Sequence, residues 1–227
     1  MQAATPASGE TPSRRRRGPR PRYSRDDVVR AAVAIADDND LDAVTFRAVA
    51  ARLGIGVMSL YNYVADKQAL VYDMVEIVSA EIDLPKPTGD WRADMHTVAG
   101  LQRELAHRHP WLIKAVSHLQ PLGPATLAPL EFALGALEPT GLSVRDRLET
   151  YAMLNGFVLF TVGAELAGAP TPEQSARQFA MLPELLATGR YPRFAAAMAS
   201  EGEPETFDPT AHFDRLIDKI LDGLVRP

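Results

Sequence analysis

The chain has 227 residues, 46% of them hydrophobic, which is enough for one large domain or for a small domain beside a larger one. It contains no cysteine, and this excludes disulfides, thiol nucleophiles and cysteine-bound zinc. The net charge is −5, but residues 1–25 hold seven arginines and one acidic residue, so a basic arm precedes an acidic body.

The arm itself, residues 1–22, is rich in Pro, Gly, Ser and Arg, and this composition predicts disorder. It has no apolar stretch of the kind found in a signal peptide. Arms of this charge often bind nucleic acid. A tail that only increases solubility is the alternative.

Four short helices are predicted after the arm. The first begins at a capping box, Ser24–Asp27, in which the two side chains cap each other's backbone amides. Thr45 is the predicted N-cap of the second helix, and Gly54 stands where a C′ glycine belongs. A third helix covers about Val57–Val64, and Asp66 caps the fourth.

The second and third helices form a helix-turn-helix pattern around a glycine-containing turn, Gly54–Gly56. On a helical wheel Leu60 and Val64 face inward, whereas Met58 and Asn62 point away from that core. An outward face of this kind can enter the major groove of DNA.

The residue types on the outward face suit DNA. Asn62 can pair with adenine, Met58 can contact thymine methyl groups, and Ser59 can bond to base edges or phosphate. The hydroxyl groups of Tyr61 and Tyr63 suit phosphates. Packing between helices is the alternative for both tyrosines, above all for Tyr63 at the edge of the core.

Residues 45–70, TFRAVAARLGIGVMSLYNYVADKQAL, resemble the DNA-binding segment of the TetR family of bacterial repressors in residue types and in spacing. The resemblance implies that Arg47, Tyr61 and Lys67 hold phosphates. It also implies that the positions from Val57 to Tyr63 read bases.

Asp26–Ala80 departs from the usual charge of a DNA-binding domain, since it carries four basic and nine acidic residues. We therefore expect the arm to supply the attraction by lying along phosphates or in the flanking minor groove. The arginines assigned to this contact are Arg14, Arg15, Arg16 and Arg17.

Two prolines and a glycine in Asp83–Trp91 mark a predicted boundary. It separates a DNA-binding domain with its connecting helix, residues 23–83, from a larger ligand-binding and dimerisation domain, residues 90–227. No strand pattern is found, so the predicted fold is all-α. Further helices are expected at about 90–108, 110–119, 124–138, 143–168, 173–188, 191–200 and 209–225.

Two of these helices match, by position, the helices that build a four-helix dimer interface in the Tet repressor branch of the family. They are Ser143–Ala167, which is long and mostly apolar, and Thr210–Val225, which is amphipathic. The resemblance implies a homodimer. Its two recognition helices would lie about 34 Å apart on a palindromic operator.

The candidate ligand-binding residues are aromatic or polar side chains of the larger domain, and for each an ordinary core position is the alternative. They are Trp91, Met95, Trp111, His118, Asn155, Phe157, Phe160 and Glu165. His107 and His109 flank Arg108 and are expected at the surface.

Ser117–Pro124 and Asn155–Glu165 resemble the Tet repressor segments that supply a histidine and a glutamate to the magnesium of a metal–drug complex. His118 and Glu165 occupy those positions, but one such pair is weak support for a metal. The residues that hold the drug are not recognisable, so tetracycline is not expected. No cofactor and no metal are predicted, with a metal at His118 and Glu165 as the alternative. A large, partly aromatic small molecule is expected instead.

The sequence thus predicts a cytoplasmic, nucleoid-associated homodimeric repressor that a small molecule releases from DNA, with no membrane partner. An architectural DNA-binding protein is the first alternative, although nearly 140 helical residues after residue 90 would have little purpose in one. An enzyme is the second alternative. The glycine pattern of Gly54–Ser59 follows no strand, so it does not indicate a dinucleotide site, and we expect no enzymatic activity.

Overall fold

The computed structural model describes residues 23–118, 122–168, 171–199 and 208–225. Every regular element within these ranges is a helix, and the predicted all-α fold is confirmed. The predicted arm, residues 1–22 with its arginines, lies outside the described residues.

The first part of the chain contains α1 (Arg25–Asn39), α2 (Phe46–Leu53), α3 (Val57–Leu60) and α4 (Lys67–Ser79). The predicted caps are present. Ser24 Oγ accepts a hydrogen bond from the amide of Asp27 at 3.1 Å, and the Asp27 carboxylate accepts one from the amide of Ser24 at 2.8 Å. The side chains of Thr45 and Asp66 cap α2 and α4 at 3.1 Å and 2.7 Å. Each cap satisfies amides that the first turn leaves without partners.

The third helix is shorter than predicted. Its α-helical part ends at Leu60, and the chain continues through a turn in which the amides of Asn62 and Tyr63 donate to carbonyls three residues earlier. These bonds to the third residue back wind the chain more tightly than an α-helix does. Val64 then returns to the α-helical spacing, because its amide bonds to the carbonyl of Leu60 at 3.1 Å, and its side chain enters the core.

One hydrophobic core joins the four helices and extends beyond them. Val28, Val49, Leu60 and Met74 are buried at its centre. Residues that follow the predicted boundary at 84–90 also pack into it, namely Leu105, Trp111, Leu112 and Ala115. The first part therefore packs directly against residues of the second part, and the two are not joined by a linker alone.

The second part contains eight helices within the described ranges. They are α5 (Trp91–Arg108), α6 (Leu112–His118), α7 (Pro124–Ala136), α8 (Val144–Ala167), α9 (Pro172–Phe179), α10 (Leu182–Ala187), α11 (Pro192–Ala199) and α12 (Pro209–Leu224). Its core lies where α5 packs against α7, α8 and α12, and includes Met95, Val98, Leu154 and Ile217.

The single helix predicted at 173–188 is wrong, because α9 and α10 are separated by a turn at Ala180 and Met181. Pro183 explains the break. A proline inside a helix has no amide to donate, and its ring collides with the carbonyl four residues earlier. In the structure Pro183 instead occupies the first turn of a new helix, where neither effect costs stability.

Much of the apolar surface of α8 is uncovered. Its buried residues form one stripe, Thr150, Leu154, Val158 and Val162, at every fourth position. On other sides Met153 is 56% exposed and Phe160 is 76% exposed. Among the described helices, α8 alone is long and apolar enough to cross a membrane, a test that a core helix of a soluble protein also passes.

Candidate nucleic-acid interface and ligand site

The turn between α2 and α3 depends on Gly54. This residue has φ 66° and ψ 37°, a left-handed conformation that glycine adopts without steric cost. Its amide and that of Ile55 return to the carbonyls at the end of α2, with Ile55 N to Ala50 O at 3.0 Å. Gly56 then begins α3, so the two helices are joined by a short, closed turn.

The two sides of α3 differ as the helical wheel predicts. Leu60 is fully buried and Val64 nearly so, whereas Met58 is 78% exposed. Val57, Ser59 and Asn62 are also exposed. The outer face of α3 is therefore available to a partner, and the DNA-binding roles of these residues stay predictions.

The two tyrosines have different surroundings. The Tyr61 ring is 53% exposed and packs against Phe46, with ring centroids 4.9 Å apart. Tyr63 is half-buried and packs on the core of the first part. The structure therefore leaves Tyr61 accessible to a phosphate, while packing accounts for much of Tyr63.

Basic side chains near α3 divide into paired and unpaired groups. Arg25 is paired with Asp73 at 2.7 Å and Arg52 with Asp38 at 3.2 Å. Arg47 and Lys67 are exposed and have no ion-pair partner in the described ranges. Lys67 is also the first residue of α4, where helix amides favour an anion. These two cations lie on the helices that precede and follow α3 in the chain, and they can take phosphates without breaking an existing pair.

The predicted ligand-binding residues do not line one pocket. Met95 and Trp111 are buried in two different cores, and Trp111 donates its indole N–H to Asp37 of α1 at 2.7 Å. Trp91 is half-buried beneath the guanidinium of Arg92, and Phe160 points away from the core of its own chain. Packing has placed Met95, Trp111 and Phe160 in different parts of the molecule, and their ligand-binding roles stay predictions.

Glu165 is paired with two side chains of α5, while the side chain of the predicted His118 lies outside the described part of the chain. Its carboxylate accepts from Arg103 through Nε at 3.1 Å and Nη2 at 2.7 Å, and it lies 2.6 Å from Nε2 of His107. Burial raises the pKa of Glu165, but the bonds from Arg103 and His107 outweigh it and leave that pKa below its ordinary value. Among the described side chains no group of three or more His, Asp or Glu could hold a metal.

A cleft of about 570 Å³ opens beside this cluster, between α5 and α12. Its lining includes Gly100, Arg103, Glu104, His107, Phe213 and Asp214. The guanidinium carbon of Arg103 lies 4.8 Å from the centre of the Phe213 ring, and Phe213 stacks on Phe157 with centroids 5.9 Å apart. Of the predicted ligand residues, Phe157 and Glu165 contact this lining, half-buried Asn155 belongs to the same helix, and Arg103 and Phe213 were missed. The sequence signal that could have identified Arg103 is its spacing from His107, because the two residues lie one turn apart on α5.

His109 is buried, contrary to the expectation of a surface position. Its ring lies 2.8 Å from the carboxylate of Asp37 through Nδ1 and 3.3 Å from that of Glu81 through Nε2. Arg108 donates to the same Glu81 at 2.8 Å. Both ring nitrogens therefore have partners on α1 and on the segment after α4, which makes burial of the imidazole possible.

A second contact joins the two parts at α4. The carboxylate of Glu76 accepts from the amides of Ala125 and Thr126 at 3.0 Å and 3.1 Å, and from the Thr126 hydroxyl at 2.5 Å. It thus caps the N-terminus of α7. A side chain at Gly123 would collide with this carboxylate. The helix that leads out of the DNA-binding part is held directly by a helix of the second part.

These features define a helix-turn-helix DNA-binding regulator with a second helical domain, and two family profiles agree. The profile "Bacterial regulatory proteins, tetR family" matches residues 28–74, and "Tetracyclin repressor-like, C-terminal domain" matches residues 84–226. The chain therefore belongs to the TetR family, whose members are transcriptional regulators rather than enzymes.

Curated relatives support this membership. The HTH-type transcriptional repressor DrrR1 of Streptomyces coeruleorubidus is 37% identical over 96% of this chain and 82% of its own length. An HTH-type transcriptional regulator of Saccharopolyspora erythraea is 30% identical over 90% of this chain and 86% of its own length. Apo ActR of Streptomyces coelicolor has the same fold, with a TM-score of 0.74 and 24% identity over 91% of this chain and 97% of ActR. The predicted class, a ligand-responsive DNA-binding repressor, is confirmed, while the homodimer, the operator and the ligand stay predictions.

Proposed function

We propose that the protein is a cytoplasmic homodimeric repressor that binds a palindromic operator through α3 and leaves it when a small organic molecule occupies the second domain. The observation that carries the proposal is the exposed face of α3 together with two exposed cations on the adjoining helices, Arg47 and Lys67, that lack ion-pair partners among the described residues. A ligand is supported by ActR, which is described in complex with actinorhodin and with (S)-DNPA.

The contacts to DNA are of two kinds, those to base edges and those to phosphates. Met58, Ser59 and Asn62 meet base edges in the major groove. The exposed Val57 belongs to the same base-reading segment. Arg47 and Lys67, with the hydroxyl groups of Tyr61 and Tyr63, fix the helix against phosphates. The arm with Arg14, Arg15, Arg16 and Arg17 adds attraction that does not depend on sequence, because each phosphate it neutralises releases counterions.

The homodimer is supported by the apolar surface that one chain leaves uncovered. Besides the exposed side of α8, helices α10 and α11 have no buried residue. The large apolar side chains exposed on and around them are Phe179, Met181, Leu185, Tyr191, Phe194 and Met198. Exposed apolar surface on this scale is typical of an interface, and a second copy is the occupant that the family resemblance implies.

The signal passes through α4. Glu76 ties its middle to α7, and Glu81 ties the segment after it to the end of α5 through Arg108 and His109. A ligand that prefers one arrangement of α5 and α7 will therefore shift α4, and with it the spacing of the two α3 helices. The size of the shift is limited by the difference in ligand affinity between the two arrangements.

The experiment is a gel-shift titration on DNA from upstream of the protein's own gene, with random DNA of equal length as the competitor. Arg47→Ala should weaken binding to every sequence and reduce the salt slope by about 1. The matched control is Arg52→Ala, because Arg52 lies on the same helix but is paired with Asp38. An equal decrease in affinity in both variants would contradict the assigned interface.

Removal of residues 1–22 tests the arm. It should weaken all sites together and lower the salt slope by about 0.9 for each phosphate that the arm neutralises in the intact complex. Asn62→Ala and Met58→Ala should instead change which site is preferred. Binding of the intact protein to random DNA alone would favour the architectural alternative.

A further inference from the structure

The cleft between α5 and α12 combines a flat aromatic side chain with an arginine, one terminal nitrogen of which has no partner among the described residues. We propose that it binds an aromatic organic acid with a single negative charge, whose carboxylate meets Arg103 and whose ring lies along the cleft. The inference rests on the proposed function, since it names the chemical class of the small molecule that the second domain senses.

Arg103 is oriented before any ligand arrives. Its guanidinium lies against the Phe213 ring at 4.8 Å, and its Nε and Nη2 are fixed by Glu165. Nη1 has no hydrogen-bond partner in the described part of the chain. A guanidinium held on one face and one edge presents its remaining donors in a fixed direction, which suits a planar carboxylate.

Arg103 is one of two arginines that line the cleft, and it is the better placed to hold an anion. Its partner Glu165 is shared, because His107 also contacts that carboxylate at 2.6 Å. Arg108 is bound to Glu81, and its side chain is 55% exposed, against 18% for Arg103. Water therefore screens a charge-assisted contact less at Arg103.

The rim sets an upper limit on the ligand's charge. Glu104 lines the cleft and is exposed, and Asp214 lies opposite, 3.6 Å from His96 of α5. Two carboxylates at the opening repel a polyanion such as a nucleotide. A singly charged acid places its charge on Arg103 and presents only its apolar part to the rim.

The size and shape of the cleft call for an organic molecule rather than a small inorganic ion. A volume of about 570 Å³ lies in the usual range for organic ligands. A Cβ at Gly100 would meet nothing within 4 Å, so this part of α5 is open to an aromatic ring. The Phe213–Phe157 stack gives the cleft an apolar base.

The test uses 1-naphthoate as the probe and 1-naphthamide as a neutral probe of the same shape, titrated into the full-length protein by calorimetry. Naphthoate should bind at least about tenfold more tightly than the amide, the ratio expected for one charge-assisted contact. Arg103→Gln should abolish that preference.

Arg92→Gln is the matched control. Arg92 lies on the same helix, stacks on an aromatic ring at 4.8 Å and pairs with carboxylates of α12, but it does not line the cleft. It should bind naphthoate like the parent protein. An equal decrease in naphthoate affinity in the two variants would overturn the site.

Gly100→Leu decides between the outcomes if Arg103→Gln does not fold, because it fills the opening without removing either member of the ion pair. It should weaken naphthoate binding by about tenfold or more with an unchanged melting temperature. Unchanged binding in Gly100→Leu, or no naphthoate binding by the parent protein at millimolar concentration, overturns the proposal. Operator binding without probe is measured for every protein, because its absence in the parent would instead overturn the proposed function.

Discussion

The first and the second part of the chain build their candidate sites in opposite ways. Within the described ranges, the residues assigned to DNA lie in a short run from Arg47 to Lys67, and most of them are exposed on the outside of a closed core. The proposed ligand site gathers Arg103, Glu165 and Phe213 from three helices far apart in the chain, and each is already engaged. A site built from one continuous segment can be predicted locally, whereas a site made by packing exists only in the folded chain.

The two parts also differ in how fully they cover their apolar surface. The first part buries the inward side of each of its four helices, and α6 helps to close its core. In the second part α8 buries one stripe, and α10 and α11 bury no residue. The first part thus closes its core within one chain, while the second leaves apolar surface available to the proposed second copy.

The largest effect is expected where the first part is most tightly packed. Leu60→Ala should lower the free energy of unfolding by about 2–5 kcal/mol, because it leaves a cavity beneath α3. Met58→Ala, on the opposite side of the same helix, should change it by about 0.5 kcal/mol or less and alter operator preference instead. Urea unfolding and operator titration of both proteins separate the two outcomes. Similar destabilisation by both would mean that α3 is not arranged with one free face.

Sequence patterns could predict the structural features whose interacting residues are close together in the chain. Ser24, Thr45 and Asp66 are caps whose partners lie three residues away, and Gly54 is fixed by its own turn. The inward orientation of Leu60 follows from helical periodicity. These features were predictable because the forces that produce them act within one or two helical turns.

Other features depend on partners that the sequence does not place. His109 follows a charged residue, yet it is buried because Asp37 and Glu81 approach it from other parts of the chain. Arg103 and Glu165 are 62 positions apart, so neither identifies the other. The core role of Trp111 likewise follows from α6 docking on the first part, a contact that no local pattern encodes.

The contact between the two parts can be weakened without altering either site. Glu76→Gln should remove the charge that caps α7, and hydrogen bonds to a charged group contribute about 1.5–3 kcal/mol. We expect ligand-driven release to weaken while Arg47, Lys67 and the face of α3 stay intact. Asp73→Asn, on the same helix and paired with Arg25 of α1, is the control. If the control uncouples release as strongly as Glu76→Gln, α7 is not the element that moves α4.

Glu165 makes the second part sensitive to acid. Its pKa is lowered in the folded chain, so the folded state binds fewer protons than the unfolded state as the carboxylate begins to titrate. The stability it contributes is therefore complete above its ordinary pKa of 4.5 and is lost as the pH falls through the lower folded value. Thermal unfolding of the parent and Glu165→Gln should converge as the pH falls below 4.5. Parallel curves at all pH values would mean that the Arg103 pair does not stabilise the fold.

The smallest expected effect is that of Gly156→Ala, which tests whether a second copy covers α8. In a single chain, a Cβ at Gly156 would meet nothing within 4 Å, so Gly156→Ala should stabilise the helix by about 0.5–1 kcal/mol. If the twin's α8 packs there, the added methyl group meets the partner instead, and sedimentation across a concentration series should show weaker dimerisation. Gly163→Ala is the control, because its Cβ would meet Ile113 of its own chain at an ordinary 3.9 Å. Stabilisation by Gly156→Ala with unchanged sedimentation would place the dimer contact elsewhere, and the uncovered side of α8 would then need a different partner.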